Sequence, residues 1–480
     1  MTVPCRRALL HTLPFALLAS AGLHAAPLDY TACTDNILPG SLCAMHAVPA
    51  SHEAQGQDTE TLQLFVRKIP AEGRSKGSVW LVAGGPGESG ASFYSLLPTL
   101  RRSFAGFDLL IPDHRGTGYS SRLCPAEEAA GSPGGMALAG AEWASCFKDL
   151  NTAPARARQF SIINAAQDLR SLVGTTQGNG AVYLYGVSYG TQLVLRSLQL
   201  GPLPVRGVIF DSLVPPQSDP RWDLSQRSQV VNQVGLQVLA QCDADAACHA
   251  MLGEPAQTLY RRVLDKLRQE PALLATIPGK NLKHFIGGML DVPAARARIP
   301  ALLQDLDHGG GTELAAVRGL LNQGASSLGS YPQSSISIPL VSMISNSENN
   351  LRPGLTTADV DREEATLLMT SPLPRILLGG GLPTYFQDRY FGQLPASLPP
   401  VLVLQGTLDP KTPYAGAQAQ VAALRQASAG QAGASKVTLA TIGQAPHFIL
   451  WAAPACFERS LQRFIAAKPV EDCALTLKER

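Results

Sequence analysis

Apolar residues along the chain fall into short strand-like runs that alternate with helix-like stretches, in two separate blocks. The last four runs of the first block are almost continuously apolar, which is typical of strands buried on both faces of a parallel sheet. The predicted strands are 62–69, 78–83, 109–112, 181–185 and 207–210 in the first block, and 401–404 and 437–442 in the second. Alternation on both sides of a long gap favours one α/β sheet with an insertion between two of its strands.

The segment between the two blocks, residues 219–394, has a different pattern. Its predicted helices are 226–239, 255–267, 294–306 and 313–321, separated by glycine-rich and serine-rich segments. We predict a mainly helical cap over the carboxyl edge of the sheet, where α/β proteins place their sites. An independent second domain with its own ligand is the alternative. The predicted core then consists of residues 27–218 and 395–480, and the cap of residues 219–394.

A Gly-x-Ser-x-Gly pentapeptide, residues 186–190, follows one buried strand-like run and precedes a helix-like stretch. Strand, pentapeptide and helix together are typical of a nucleophile elbow, in which a tight turn exposes the serine hydroxyl. The first turn of that helix would direct backbone N–H groups at a developing oxyanion. We therefore predict Ser188 as the nucleophile and the N–H of Tyr189 as one oxyanion donor.

A serine hydroxyl needs a base to remove its proton, and that base needs a carboxylate to orient it. Asp409 follows the strand-like run at 401–404, and His447 lies on a loop after the run at 437–442. The resulting chain order of serine, acid and histidine matches the order expected after such an elbow. We predict that Asp409 and His447 complete the catalytic set, with Asp211 as the alternative acid.

A glycine-rich loop, residues 84–90, follows the predicted strand 78–83. Its glycines would let the backbone approach a substrate oxygen, and the N–H of Gly85 is the second predicted oxyanion donor. The same loop fits the Gly-x-Gly-x-x-Gly pattern of dinucleotide sites, with Asp113 as a ribose-binding acid. Because that interpretation leaves the serine, histidine and aspartate unexplained, we predict no cofactor. Asp113 and Arg115 are expected to brace the next loop, and contact with the substrate is the alternative.

The start of the chain resembles a secretory signal, since Arg6 and Arg7 precede a mostly apolar stretch that ends in small residues. We predict a signal peptide over residues 1–26 and export to the periplasm or the medium; an uncleaved anchor helix is the alternative. Eight of the nine cysteines remain after that segment, and an even count in an exported chain favours disulfides. Pairing of nearest neighbours, one hypothesis among many connectivities, gives Cys33–Cys43, Cys124–Cys146, Cys242–Cys248 and Cys456–Cys473.

Composition and charge narrow the possible partners. The 480-residue chain has a net charge of +2 and 45% hydrophobic residues, as in an ordinary globular protein. This charge gives no electrostatic case for nucleic acid or an anionic membrane as partner, so we expect neither once the signal is removed. Cysteines and histidines lack the spacing of metal ligands, and no metal site is predicted.

Four motifs together resemble the prolyl aminopeptidase and tripeptidyl aminopeptidase (TAP-like) group of α/β-hydrolases. They are the segments 84–87, 113–120, 186–190 and 406–413. The resemblance implies an α/β-hydrolase fold, with a mostly parallel central sheet, helices on both faces and a helical cap between strands. It also implies an exopeptidase that releases an N-terminal amino acid or short peptide from small peptide substrates through an acyl-enzyme. An esterase or amidase of the same fold is the alternative, and a non-catalytic binding protein a remote one.

Members of this group use an acidic cap residue to pair with the free α-amino group of the substrate. Residues 343–348 resemble the stretch that carries such an acid in secreted members, which nominates Glu348 as a substrate-binding residue. Asn346 stands where the group would have cysteine, and His114 where glutamine is commoner. These departures affect the predicted substrate more than the predicted hydrolase chemistry.

Overall fold

The computed structural model describes residues 26–53, 60–378, 381, 383–429 and 437–475. Its strands are β1 (Thr31–Ala32), β2 (Leu42–Pro49), β3 (Thr61–Ile69), β4 (Gly77–Val82), β5 (Asp108–Pro112), β6 (Ala181–Val187), β7 (Gly207–Asp211), β8 (Val401–Gly406), β9 (Val437–Gly443) and β10 (Cys473–Ala474). They form one sheet in the order β1-β2-β3-β5-β4-β6-β7-β8-β9-β10. The pairs β1/β2, β2/β3 and β3/β5 are antiparallel, and the pairs from β5 to β10 are parallel.

The parallel centre of the sheet is buried on both faces, as the continuous apolar runs predict. Every residue of β4, β7 and β8 is buried. Along β4, Trp80 and Val82 pack into one hydrophobic cluster, whereas Val79 and Leu81 pack into the cluster on the opposite face. The fold is therefore a mostly parallel sheet between two helical layers.

Helices flank the sheet on both sides of the insertion. Before β7 they are α1 (Leu97–Ser103), α2 (Glu142–Thr152), α3 (Pro154–Gln159), α4 (Ile162–Gly174) and α5 (Tyr189–Gln199). Between β7 and β8 they are α6 (Arg227–Ala244), α7 (Ala246–Leu252), α8 (Ala256–Gln269), α9 (Pro271–Thr276), α10 (Leu282–Met289), α11 (Pro293–Arg296), α12 (Ile299–Asp307), α13 (Thr312–Ser327), α14 (Ile338–Glu348), α15 (Thr357–Thr366) and α16 (Leu373–Leu378). After β8 they are α17 (Tyr414–Ser428), α18 (Ile449–Ala452) and α19 (Pro454–Ile465).

The residues described between β7 and β8 form helices and no strand. They have a hydrophobic cluster of their own, built mainly from α6, α8, α10 and α12. Two details differ from the sequence prediction: the predicted helix 294–306 is divided into α11 and α12, and the serine-rich stretch contains α14. In the part of the chain that the structure describes, no helix combines the length and apolar character needed to cross a bilayer.

Four disulfides link the cysteines in the pairs expected from nearest-neighbour spacing. They are Cys33–Cys43, Cys124–Cys146, Cys242–Cys248 and Cys456–Cys473. Each bond closes a short loop, the longest spanning 22 residues, so each is a local constraint. The predicted signal peptide falls on residues 1–26, of which 1–25 lie outside the described residues.

Candidate active site

Ser188 lies at the turn between β6, which ends at Val187, and α5, which begins at Tyr189. Its backbone has φ 54° and ψ −125°, a conformation that costs energy for any residue with a side chain. A Cβ on Gly186 would stand 2.7 Å from the carbonyl oxygen of Gly190, so the tight turn requires this glycine. The strained turn leaves Ser188 partly exposed at the carboxyl edge of the sheet.

Asp409 and His447 are joined by a hydrogen bond of 2.8 Å between Oδ2 and Nδ1. The Asp409 carboxylate is completely buried and accepts further hydrogen bonds on both oxygens. The backbone N–H groups of Lys411 and Thr412 each donate to Oδ1 at 2.8 Å. The Thr412 hydroxyl donates to Oδ2 at 2.8 Å, and the Gln405 side-chain amide at 3.1 Å. This carboxylate is held in one orientation by five donors.

The charge on Asp409 fixes the tautomer of the imidazole. Burial acts to raise the pKa of Asp409, but the attraction of His447 and the hydrogen bonds outweigh it and hold the pKa below its usual value. An ionised carboxylate can only accept, so His447 Nδ1 carries the proton that it donates. Nε2 of His447 then has a free lone pair.

The loop that carries His447 is fastened to the elbow through Asp211 and Ser212. The N–H of Ser188 donates to the carbonyl of Asp211 at 3.0 Å, and the N–H of Phe448 donates to Ser212 Oγ at 2.8 Å. Both Asp211 carboxylate oxygens accept backbone N–H groups from the first turn of α18. Asp211 therefore holds the histidine loop and does not orient the imidazole.

A hydrogen bond between Ser188 Oγ and His447 does not occur in the described structure. Such contacts are often long in proteins without substrate and tighten when substrate binds. The two residues nevertheless flank the same pair, Asp211 and Ser212, which limits how far apart they lie.

The glycine-rich loop after β4 lies directly against Ser188. A Cβ added to Gly84 would stand 3.2 Å from Ser188 Cβ. Gly85 has φ 106° and is exposed, and its N–H has no acceptor among the described residues. Tyr189 is the first residue of α5, where N–H groups lack intrahelical acceptors. The cap reaches this loop, because the N–H of Ser337 donates to the Gly87 carbonyl at 3.0 Å.

Asp113 and Arg115 brace the neighbouring loop, as expected. Asp113 accepts the backbone N–H of Gly90 at 2.7 Å and that of Tyr119 at 2.9 Å. Burial raises its pKa to about 6. Arg115 donates two hydrogen bonds of 2.6 Å to Asp168. Both side chains are fully engaged within the protein.

Glu348 ends α14 and has no exposed surface. Its Oε2 accepts from Arg196 of α5 at 3.3 Å, and from the Gln217 side-chain amide at 3.4 Å. Burial raises the pKa of Glu348 despite the attraction of Arg196. The carboxylate is enclosed and paired with a cation through Oε2, and its contact with the substrate stays a prediction.

Sequence reasoning gave no role to four charged side chains near His447 and Asp409. Lys411 of the core and Asp291 of the cap form an ion pair of 2.9 Å, and Asp291 raises the pKa of Lys411. Arg227, at the start of α6, lies within electrostatic range of Asp409 and Asp291. Glu88, in the glycine-rich loop, lies within range of His447 and Lys411. Glu88 and Lys411 lie in segments that the sequence marks, the glycine-rich loop 84–90 and the segment 406–413, whereas Asp291 and Arg227 do not.

Family models match both halves of the core. The model described as alpha/beta hydrolase fold matches residues 77–241, and the model described as TAP-like protein matches residues 380–471. These two matches, together with the mostly parallel sheet and the tight turn at the end of β6, define the class of protein. The chain is an α/β-hydrolase by fold, with a TAP-like segment in its C-terminal part.

Similar proteins of known sequence include serine protease Hip1 from Mycobacterium tuberculosis, 26% identical over 272 residues, which are 50% of this chain and 50% of that protein. The putative hydrolase YuaR from Escherichia coli is 25% identical over 238 residues, covering 44% of this chain and 46% of that protein. The chain thus spans about half the length of the curated relatives it matches.

Similar solved structures include a proline iminopeptidase-related protein from Thermus thermophilus, with 17% identity and a TM-score of 0.39. A thermophilic esterase from Thermogutta terrifontis has 13% identity and a TM-score of 0.36. Each match covers 88% of this chain and 98% of the other.

Proposed function

We propose that this protein is a serine exopeptidase that releases an N-terminal amino acid or a short peptide from small peptide substrates. The observation that carries the proposal is the 2.8 Å hydrogen bond from His447 Nδ1 to the buried Asp409 carboxylate, next to a serine in a strained turn. Similarity to a protein named as a serine protease supports peptide substrates over other acyl compounds.

In the proposed reaction Ser188 Oγ attacks the carbonyl carbon of the scissile amide while His447 Nε2 takes the hydroxyl proton. Asp409 keeps the imidazole in the required tautomer and stabilises the imidazolium. The N–H groups of Gly85 and Tyr189 bind the oxyanion. Collapse of the tetrahedral intermediate breaks the C–N bond, and His447 gives its proton to the departing amine. Water then hydrolyses the acyl-enzyme with His447 as base.

Export is part of the proposal. All eight cysteines in the described residues are in disulfides, and such bonds persist in oxidising compartments such as the periplasm or the medium. Eight free thiols in the unreduced protein, measured by mass spectrometry, would contradict export.

The test of the proposed reaction uses Ser188→Ala beside the unaltered protein. A fluorophosphonate should label the unaltered protein once, at Ser188, and leave the variant unlabelled, because only an activated serine reacts. We expect turnover to fall by at least about 10⁴-fold in the variant, with unchanged circular dichroism. Equal turnover in the two proteins would remove Ser188 from the mechanism.

Substrate class is decided by a panel of fluorogenic aminoacyl and peptidyl amides, each with a free and with a blocked amino terminus, together with small esters. Preference for free-amine amides supports the exopeptidase. Preference for blocked substrates or esters would instead indicate an esterase or amidase of the same fold.

A further inference from the structure

One carboxylate beside the nucleophile differs from the other buried acids of this region. Asp113, Asp211 and Asp409 each accept at least two hydrogen bonds from backbone N–H groups. Glu88 is partly buried, and in the described part of the chain neither a hydrogen bond nor an ion pair involves its carboxylate. A carboxylate removed from bulk water without a partner is costly, so proteins keep such groups where a ligand or water completes them.

The position of Glu88 follows from the glycine-rich loop. Its Oε2 lies 3.3 Å from the point where a Cβ on Gly84 would stand, and Ser188 Cβ lies 3.2 Å from that same point. The Glu88 carboxylate and Ser188 are therefore close neighbours.

The electrostatics near Glu88 favour an incoming cation. Burial raises the pKa of Glu88, and the attraction of Lys411 and His447 only partly offsets this. Lys411, which attracts Glu88 more strongly than His447 does, is already bound to Asp291 at 2.9 Å. The negative charge of Glu88 is thus left without a neutralising partner among the residues that the structure describes.

We propose that Glu88 binds the protonated α-amino group of the substrate residue whose carbonyl is attacked, so that the site selects a free amino terminus next to the scissile bond. This inference rests on the proposed serine exopeptidase. In an aminoacyl group the amino nitrogen is two bonds from the scissile carbonyl carbon, so its anchor must stand beside the nucleophile. Glu88 meets this requirement, whereas Glu348 is enclosed with Arg196.

The same geometry sets the number of residues released. Each additional residue on the acyl side would carry the free amine about 3.3–3.6 Å further from the scissile carbonyl. An anchor adjacent to Ser188 therefore favours release of a single amino acid over release of a tripeptide.

Glu88→Gln tests the assignment because it keeps the size of the side chain and removes its charge. We expect the KM for aminoacyl-aminomethylcoumarin substrates with a free amine to rise about 10- to 100-fold, as for loss of a charge-assisted hydrogen bond. Hydrolysis of N-acetylated counterparts and of p-nitrophenyl acetate should stay within about twofold. Rates are referred to the active serine concentration, titrated with fluorophosphonate.

Glu348→Gln is the matched control, since it removes the other acid considered for this role. Per active serine, its ratio of free-amine to acetylated turnover should equal that of the unaltered protein.

Equal losses on all substrates in Glu88→Gln would overturn the proposed binding of the amino group and make Glu88 a brace of the loop. If the unaltered protein labels at Ser188 but cleaves only esters or blocked amides, the anchor fails while the serine hydrolase stands. Absence of labelling would reject the hydrolase itself.

Discussion

His114 occupies a buried position in the loop after β5, where it is 8% exposed. Its Nδ1 donates to the Arg115 carbonyl at 3.1 Å, and its Nε2 has no hydrogen-bond partner in the described structure. Burial lowers the pKa of His114 to about 4. The neutral imidazole is therefore the form that the folded protein accommodates.

This shift makes His114 a source of acid sensitivity. Above pH 6.5 the imidazole is neutral in the folded and unfolded states, so it does not favour unfolding. As the pH falls from 6.5 to about 4, the unfolded state binds a proton that the folded state does not, and stability is lost. In His114→Gln the fall in unfolding free energy between pH 7 and pH 4 should be smaller by about 3 kcal/mol.

Urea unfolding at several pH values between 7 and 4 measures this difference. His308→Gln is the control, since it makes the same substitution at an exposed histidine. If the unfolding free energy fell equally with pH in the unaltered protein and in His114→Gln, His114 would not be a source of the acid sensitivity.

At the scale of single residues, position relative to a strand end was the informative signal. Ser188, Asp409 and His447 each follow an apolar run, which is why the sequence singles them out. Thr412 and Glu88 also lie in loops that follow apolar runs, but nothing in the sequence assigns either of them a role. The first is recognised by its hydrogen bond to Asp409, three residues earlier, and the second by the lack of a partner among the described residues.

Among the elements, α5 and α14 are linked by a buried ion pair. Arg196 of α5 binds Glu348 of α14 and also Asp388, and Arg196 and Glu348 are at most 1% exposed. Removing one member of a buried pair leaves the other charge desolvated without full compensation. The pair is thus expected to contribute to stability and not to substrate binding.

Glu348→Gln should lower the free energy of unfolding by about 3 kcal/mol. The loss is not larger, because Arg196 keeps its ion pair with Asp388. Asp265→Asn breaks an exposed ion pair with Arg268 and should cost less than about 1 kcal/mol. Urea unfolding at pH 7 measures both changes. A stability of Glu348→Gln equal to that of the unaltered protein would show that the pair is dispensable.

Elements were predictable where the apolar pattern was strong. The predicted strands at 401–404 and 437–442 correspond to β8 and β9 within two residues at each end. β2 was missed, because its more buried alternate positions include Ala44 and His46 and the large apolar Met45 is exposed, so the hydrophobic alternation is weak. α14 was hidden in a serine-rich stretch, although Leu340, Met343 and Ile344 form its buried face. There, tertiary packing outweighs local composition.

At the scale of the whole molecule, the two outermost strands of the sheet are only two residues long. Strands of this length contribute few hydrogen bonds, yet each lies beside a disulfide. Cys43 is opposite Thr31 of β1 in the ladder, and its disulfide partner Cys33 follows that strand. Cys473 belongs to β10, and its partner Cys456 lies in α19. The disulfides therefore fasten both ends of the sheet.

The Cys456–Cys473 bond is expected to matter most for the side of the sheet that carries the histidine loop. β10 pairs with β9, which leads directly into that loop, and the bond closes a loop with a sequence separation of 17. Replacing both cysteines by serine should lower the unfolding free energy by about 3 kcal/mol, because the unfolded chain regains conformational entropy. The same change at Cys242–Cys248 in the cap, with a separation of 6, should cost about 2 kcal/mol.

Urea unfolding without reductant measures both losses of stability. Fluorophosphonate labelling should slow only in the variant that lacks Cys456–Cys473, since only that bond supports β9. Equal labelling rates in the two variants would show that the edge of the sheet does not position His447.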